Sequence, residues 1–106
     1  MAGTGLSVVI VLGYIRFAPQ AMAGARPHLQ ALIDGTRAHD GCIAYDAAED
    51  VSDPGLVRFS EVWPDAASLA AHGQAPHIAP WRAASADLGV IDRQFTVYDA
   101  ANPRPL

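Results

Sequence analysis

Two stretches of the chain are apolar at both parities of the strand period. Leu6-Ser7-Val8-Val9-Ile10-Val11-Leu12-Gly13-Tyr14-Ile15 is dense in β-branched residues, and Val90 to Tyr98 carries Val90, Ile91, Phe95, Val97 and Tyr98. A strand sends successive side chains to opposite faces, so this pattern predicts a first strand buried on both sides and a last strand that is nearly as apolar. Between them the period changes. From Pro19 to about His39, the residues Met22, Leu29, Leu32, Ile33 and Thr36 fall roughly on one stripe of a helix. Pro27 either kinks that helix or marks its true first turn. Asp40-Gly41 ends it, the glycine being free to take the left-handed conformation common at helix ends.

Cys42 to Asp46 and Leu56 to Trp63 read as two further strands. The link between them contains Ser52-Asp53-Pro54-Gly55, a strong turn signal that predicts antiparallel pairing. Asp65 is placed to cap a short helix over Ala66 to His72, which Gly73 stops. Pro76 suits the first position of another helix running to about Asp87, with Pro80 limiting its regularity. The order predicts one α+β domain over residues 1–100, of the ferredoxin-like βαββαβ plan, with an extended tail over 101–106. Its four-stranded antiparallel sheet would carry the helices on one face. The other face would then be bare although its strands are apolar, so a second copy of the chain is the simplest cover.

Composition supports that picture. In a chain of 106 residues, 51% are hydrophobic and 17% charged, which is apolar-rich for so small a body and hints at covered surface. The net charge is −4 with no basic cluster, which argues against nucleic acid as a partner. Cys42 is the only cysteine, so no internal disulfide is expected, in keeping with a cytoplasmic location. It opens an apolar strand and reads as an inert buried thiol. Met1 to Gly5 lacks a basic leader, and Leu6 to Leu12 is too short to span a bilayer, so no membrane association is expected.

The candidate chemistry gathers in Phe59-Ser60-Glu61-Val62-Trp63, His72 and His77. Phe59, Glu61 and Trp63 share one face of a strand by period two. Leu69 and His72 share a helix face, so burying the leucine turns the imidazole toward the sheet. His77, Trp81 and Ala84 would share a face of the next helix. Two histidines, two tryptophans and a carboxylate can therefore meet between sheet and helices, with Glu61 as an orienting partner for a histidine. Each also has a packing role open to it: Trp63 at a strand end, His72 as a buried hydrogen-bonded histidine, and His77 at a helix end. His72 and His77 are five apart across Gly73 and Pro76, not the i, i+4 pair that a helix offers zinc, so no metal is expected. Gly3-Thr4-Gly5 lacks the context of a phosphate loop, and no Gly-x-Ser-x-Gly motif occurs.

Thr36-Arg37-Ala38-His39-Asp40-Gly41-Cys42-Ile43-Ala44-Tyr45, Glu61-Val62-Trp63, Leu69-Ala70-Ala71-His72 and Pro76-His77 together resemble the antibiotic biosynthesis monooxygenase superfamily, most closely its quinol monooxygenase branch. The likeness runs from about Val8 to Tyr98. It implies a dimeric α+β barrel and, for many members, cofactor-free oxygenation of electron-rich aromatic hydroxyl compounds with O2. Other members degrade haem or isomerise small signalling sugars. Haem-degrading members carry an asparagine on the first strand, whereas the only asparagine here is Asn102. The reading that follows is a cofactor-independent monooxygenase acting on a quinol- or anthrone-like compound. His72, His77 and Trp63 would be its catalytic residues, with Tyr45, Phe59, Glu61 and Trp81 forming the pocket and Arg82 placed to offset anionic charge. The alternatives are a non-redox isomerase or proton-transfer enzyme using the same histidines, and a binding dimer without catalysis.

Overall fold

A computed structural model describes residues 7–106. Leu6, expected to begin the first strand, and Gly3-Thr4-Gly5 lie outside the described residues. The elements are β1 (Ser7–Phe17), a 3-10 turn (Pro19–Ala21), α1 (Met22–His39), β2 (Ala44–Glu49), β3 (Leu56–Trp63), α2 (Ala66–His72), α3 (Ile78–Leu88) and β4 (Val90–Ala101). The sheet is antiparallel in the order β2-β3-β1-β4, the ferredoxin-like arrangement with the two most apolar partners, β1 and β3, at its centre.

The core lies between the helices and one face of this sheet. Val9, Val11, Ile15 and Phe17 of β1 join Val57, Phe59 and Trp63 of β3 beneath Met22, Ala25, Leu29, Leu32 and Ile33 of α1. Ile78 and Trp81 of α3 close the other end. Alternate residues of β1 (Val8, Ile10, Leu12, Tyr14) point to the opposite face, which no element among the described residues covers.

Several boundaries differ from the sequence expectation. Pro27 does not begin α1: it lies in the second turn on the exposed side, and the carbonyl of Ala23, which it leaves without an amide partner, belongs to an exposed residue. β2 begins at Ala44 rather than Cys42, because Gly41 (φ 73°) turns the chain before the ladder with β3 is established. Pro76 is not the first residue of α3. Ala75-Pro76-His77 form a turn closed by the bond from the Ile78 amide to the Ala75 carbonyl (3.0 Å). Pro80 then takes the third helical position, where its missing N–H costs nothing. His77 therefore stands at the N-cap position of α3, without a side-chain capping bond, rather than within the helix. β4, nearly apolar at both parities, is an edge strand with only Phe95 and Ala100 half-covered within one chain. Among the described residues, no helix is long and apolar enough to cross a membrane.

Candidate active site

The C-terminal end of α1 sets the site. Asp40 is the last half-turn of that helix, its amide bonding the Thr36 carbonyl (3.0 Å), and Gly41 then reverses the chain toward β2. Arg37 ties this end to the sheet by donating from Nε to the Tyr45 carbonyl (2.9 Å) and from Nη2 to Asp46 (2.8 Å). A carboxylate at a helix C-terminus faces the negative end of the helix dipole, an unfavourable place unless cations or donors answer it. Two histidines do so. His72 Nδ1 lies 2.6 Å and His77 Nε2 2.8 Å from the same oxygen, Asp40 Oδ2. The Asp40 side chain is only 8% exposed, so the contact is shielded from solvent.

His72 is the last residue of α2, whose first turn is capped by Asp65 Oδ1 accepting from the Ser68 amide (2.7 Å). Its ring packs against Trp63 (centroids 4.9 Å apart, 38° between planes) and Tyr45 (5.3 Å, 60°). His77 stands behind it, 6.2 Å away between centroids, with Thr36 Oγ1 at 3.4 Å from Nε2. Gly35 of α1 makes room for that ring: a Cβ there would come within 2.9 Å of His77 Cγ.

An ionised carboxylate only accepts hydrogen bonds, so Asp40 selects the tautomer with hydrogen on His72 Nδ1 and on His77 Nε2. His72 Nε2 then carries a lone pair and has no partner among the described residues. No buried side-chain nitrogen or oxygen is left unsatisfied among those residues, so this atom is accessible.

His72 lines a cavity of about 510 Å³ between the sheet and α2–α3, together with Tyr45, Phe59, Glu61, Trp81, Arg82 and others. Five of the seven residues anticipated from the sequence thus share one cavity wall. Trp63 and His77 do not line it. Trp63 is fully buried, and its Nε1–H donates to Glu61 Oε1 (2.8 Å). Glu61 therefore serves Trp63, and the orienting acid expected to be Glu61 is Asp40. Burial raises the Glu61 carboxyl above its ordinary range, opposed by the Trp63 bond and by His72. Burial likewise pushes the Tyr45 phenol far up, and desolvation pushes up the thiol of Cys42, which is half-buried rather than buried as expected.

Asp40, His72 and His77 also place three metal-capable donor atoms within 4.8 Å of one another, a cluster that the spacing of the histidines alone did not suggest. The shared oxygen is nearer to both rings than the roughly 3.3 Å that separates ligands around a tetrahedral zinc. The cluster as built is a closed hydrogen-bonded set, and a cation would have to spread it.

Asp40 is the residue that sequence reasoning missed. Its signal was available: an acid directly before the helix-ending glycine, where the dipole disfavours negative charge, in a chain with two later histidines at helix ends. Gly35 offered no signal, because its role depends on a ring 42 positions away.

This arrangement has relatives. The family model for antibiotic biosynthesis monooxygenases matches residues 8–84, which hold Asp40 and both histidines. A putative monooxygenase of Mycobacterium tuberculosis is 35% identical over 82 residues, covering 77% of this chain and 80% of its own. Its solved structure superposes with a TM-score of 0.76 at 30% identity, covering 93% of this chain and 95% of that one. An uncharacterised protein of Synechocystis is 29% identical over 98 residues, covering 92% and 67%. The structure of a putative antibiotic biosynthesis monooxygenase from Deinococcus radiodurans matches with a TM-score of 0.84 at 28% identity, over 92% of this chain and 97% of that one. The family model's match across the histidine-bearing segment, the identity with the mycobacterial protein and the shared fold lead to one conclusion: this chain belongs to the antibiotic biosynthesis monooxygenase family.

Proposed function

We propose that this chain is a monooxygenase that oxidises a small, electron-rich aromatic hydroxyl compound of the quinol or anthrone type with O2, His72 acting as the base. The family supports the general activity; the observation that carries the finer reading is His72 on the wall of a largely apolar cavity, one ring nitrogen held by Asp40 and the other without a hydrogen-bond partner among the described residues. Ground-state oxygen reacts slowly with neutral closed-shell molecules because of spin. Removing a phenolic proton makes the ring electron-rich enough to give oxygen one electron. Histidine is the side-chain type that takes such a proton near neutral pH, and a carboxylate behind it stabilises the imidazolium that forms. One oxygen atom is then bonded to a ring carbon and the other leaves as water. The substrate supplies all four electrons, so the balance needs no separate reductant.

The aromatic walls serve this chemistry by admitting a flat ring and excluding water. Asp40 acts through His72 and is a positioning residue. His77 shares the same carboxylate oxygen and steadies it; Trp63 packs against the His72 ring from behind. A second reading is supported by the same network. Two imidazoles on one carboxylate can accept and return a proton, which suits an isomerase or other proton-transfer enzyme.

The uncovered sheet face belongs to the proposal as well. Val8, Ile10 and Leu12 of β1, Val62 of β3 and Tyr98 of β4 line it, and we assign it to a homodimer related by a two-fold axis.

Oxygen uptake with a panel of quinols and anthrones tests the reaction. Turnover is expected with at least one compound, and His72→Ala should lower it roughly 100-fold or more while circular dichroism stays native. Proton exchange or isomerisation without oxygen uptake would favour the second reading. Wild-type turnover in a folded His72→Ala protein would return this histidine to the core.

A further inference from the structure

The chain has seven basic side chains, all arginine. Four are spent on carboxylates: Arg16 on Asp53 (2.6 Å), and Arg26 on Glu49, Arg37 on Asp46 and Arg58 on Asp50, each at 2.8 Å. Arg104 stands in the C-terminal tail. The remaining two, Arg82 of α3 and Arg93 of β4, both line the cavity and make no carboxylate pair among the described residues. In a chain of net charge −4, the two unpaired guanidinium groups of the folded domain converge on one opening.

Arg93 is also oriented. Its guanidinium lies over the Phe95 ring, 4.6 Å from the centroid, and Phe95 itself lines the cavity and packs on Phe59 (5.3 Å). Its side-chain N–H groups make no hydrogen bond among the described residues, which leaves them for a carboxylate, the planar group that a guanidinium matches. The single carboxyl among the lining residues is Glu61, which is buried, accepts from Trp63 and is held toward its neutral form by burial. The cavity thus has a proton acceptor at its inner wall, aromatic surface between, and uncompensated positive charge on its outer residues.

We infer that the substrate is an acidic aromatic, carrying a carboxylate held by Arg82 and Arg93 as well as the hydroxyl presented to His72. The inference rests on the reading of this cavity as the substrate site and adds the class of compound it takes. The arginines serve binding and orientation; the proton transfer remains with His72. Positive charge at the opening also draws an anion toward a protein whose overall charge would repel it.

The test is anaerobic isothermal titration calorimetry with a matched pair, 1,4-dihydroxy-2-naphthoate and its neutral methyl ester. The acid should bind about tenfold more tightly than the ester at low salt, with the preference shrinking as ionic strength rises. Arg82→Gln/Arg93→Gln should abolish the preference, the acid and the ester binding the double variant with affinities within about twofold of each other. Both side chains are exposed, so this variant should fold, and circular dichroism verifies it. Equal affinities in the wild type, a preference that survives the double substitution, or binding of neither compound overturns the inference. No turnover occurs in this measurement. Absence of oxygen uptake would therefore sink the monooxygenase reading while leaving the acid preference intact, and equal affinities would do the reverse.

Discussion

The two faces of β1 carry similar residues and meet different fates. Val9, Val11 and Ile15 lie beneath the helices, with Val11 and Ile15 each 4% exposed. Ile10, Leu12 and Tyr14 alternate with them on the other face, where Leu12 is 48% exposed. Hydrophobicity does not distinguish the two sets. Cover does: the helices pack on one side of the sheet, and the described residues hold no further element for the other. The covered face holds the cavity and its histidines, so its shape is set within one copy of the chain. The bare face gains its cover only by association.

Opposed substitutions on neighbouring residues probe that difference most strongly. Val11→Asp places an unpaired carboxylate in the core and should unfold the domain, a loss of more than about 4 kcal/mol. Leu12→Asp should leave the circular dichroism spectrum native. Light scattering at micromolar concentration should give about twice the chain mass for the wild type and one chain mass for Leu12→Asp. A monomeric wild type, or a Leu12→Asp protein that remains dimeric, would remove the assignment of the bare face.

A smaller effect belongs to the covered side. Gly35→Ala drives a Cβ against His77, and neither the helix backbone nor a ring held by Asp40 can move away freely. Overpacking of this kind costs about 1–3 kcal/mol, measurable by urea unfolding. It should lower turnover too, since displacing His77 disturbs the oxygen that positions His72. A gain in stability, as for an ordinary glycine-to-alanine change in a helix, would show that His77 is not held there.

The smallest effect concerns Glu61 and depends on pH. Burial raises its carboxyl pKa in the folded chain above the unfolded value. Its contribution to stability is therefore complete below the unfolded glutamate range and is lost as pH rises through the folded value. Glu61→Gln keeps an oxygen for the Trp63 Nε1–H and cannot ionise. It should raise the melting temperature by a few degrees at pH 8 and leave it unchanged at pH 4. An equal shift at both pH values would mean that packing, not charge, sets the difference.

Periodicity determined most of the architecture by itself. β3 and α2 fall at the predicted residues, as do the Asp65 cap and the left-handed Gly41, because each depends on a few neighbouring side chains or on the chain's own steric limits. Phe59, Glu61 and Trp63 were legible as one face because strand alternation needs no other information. That β4 lies at the edge of the sheet, its apolar residues largely uncovered within one chain, was not legible, because the sequence shows hydrophobicity but not position. The partnership of Asp40 with His72 and His77 spans 32 and 37 positions, and no local pattern encodes it. It exists because α1 ends where α2 ends and α3 begins. The sequence alone determined which residues could hold a proton; the tertiary structure decided which of them share one oxygen. Hydrogen bonds act over about 3 Å, and only the folded chain brings such distant positions that close.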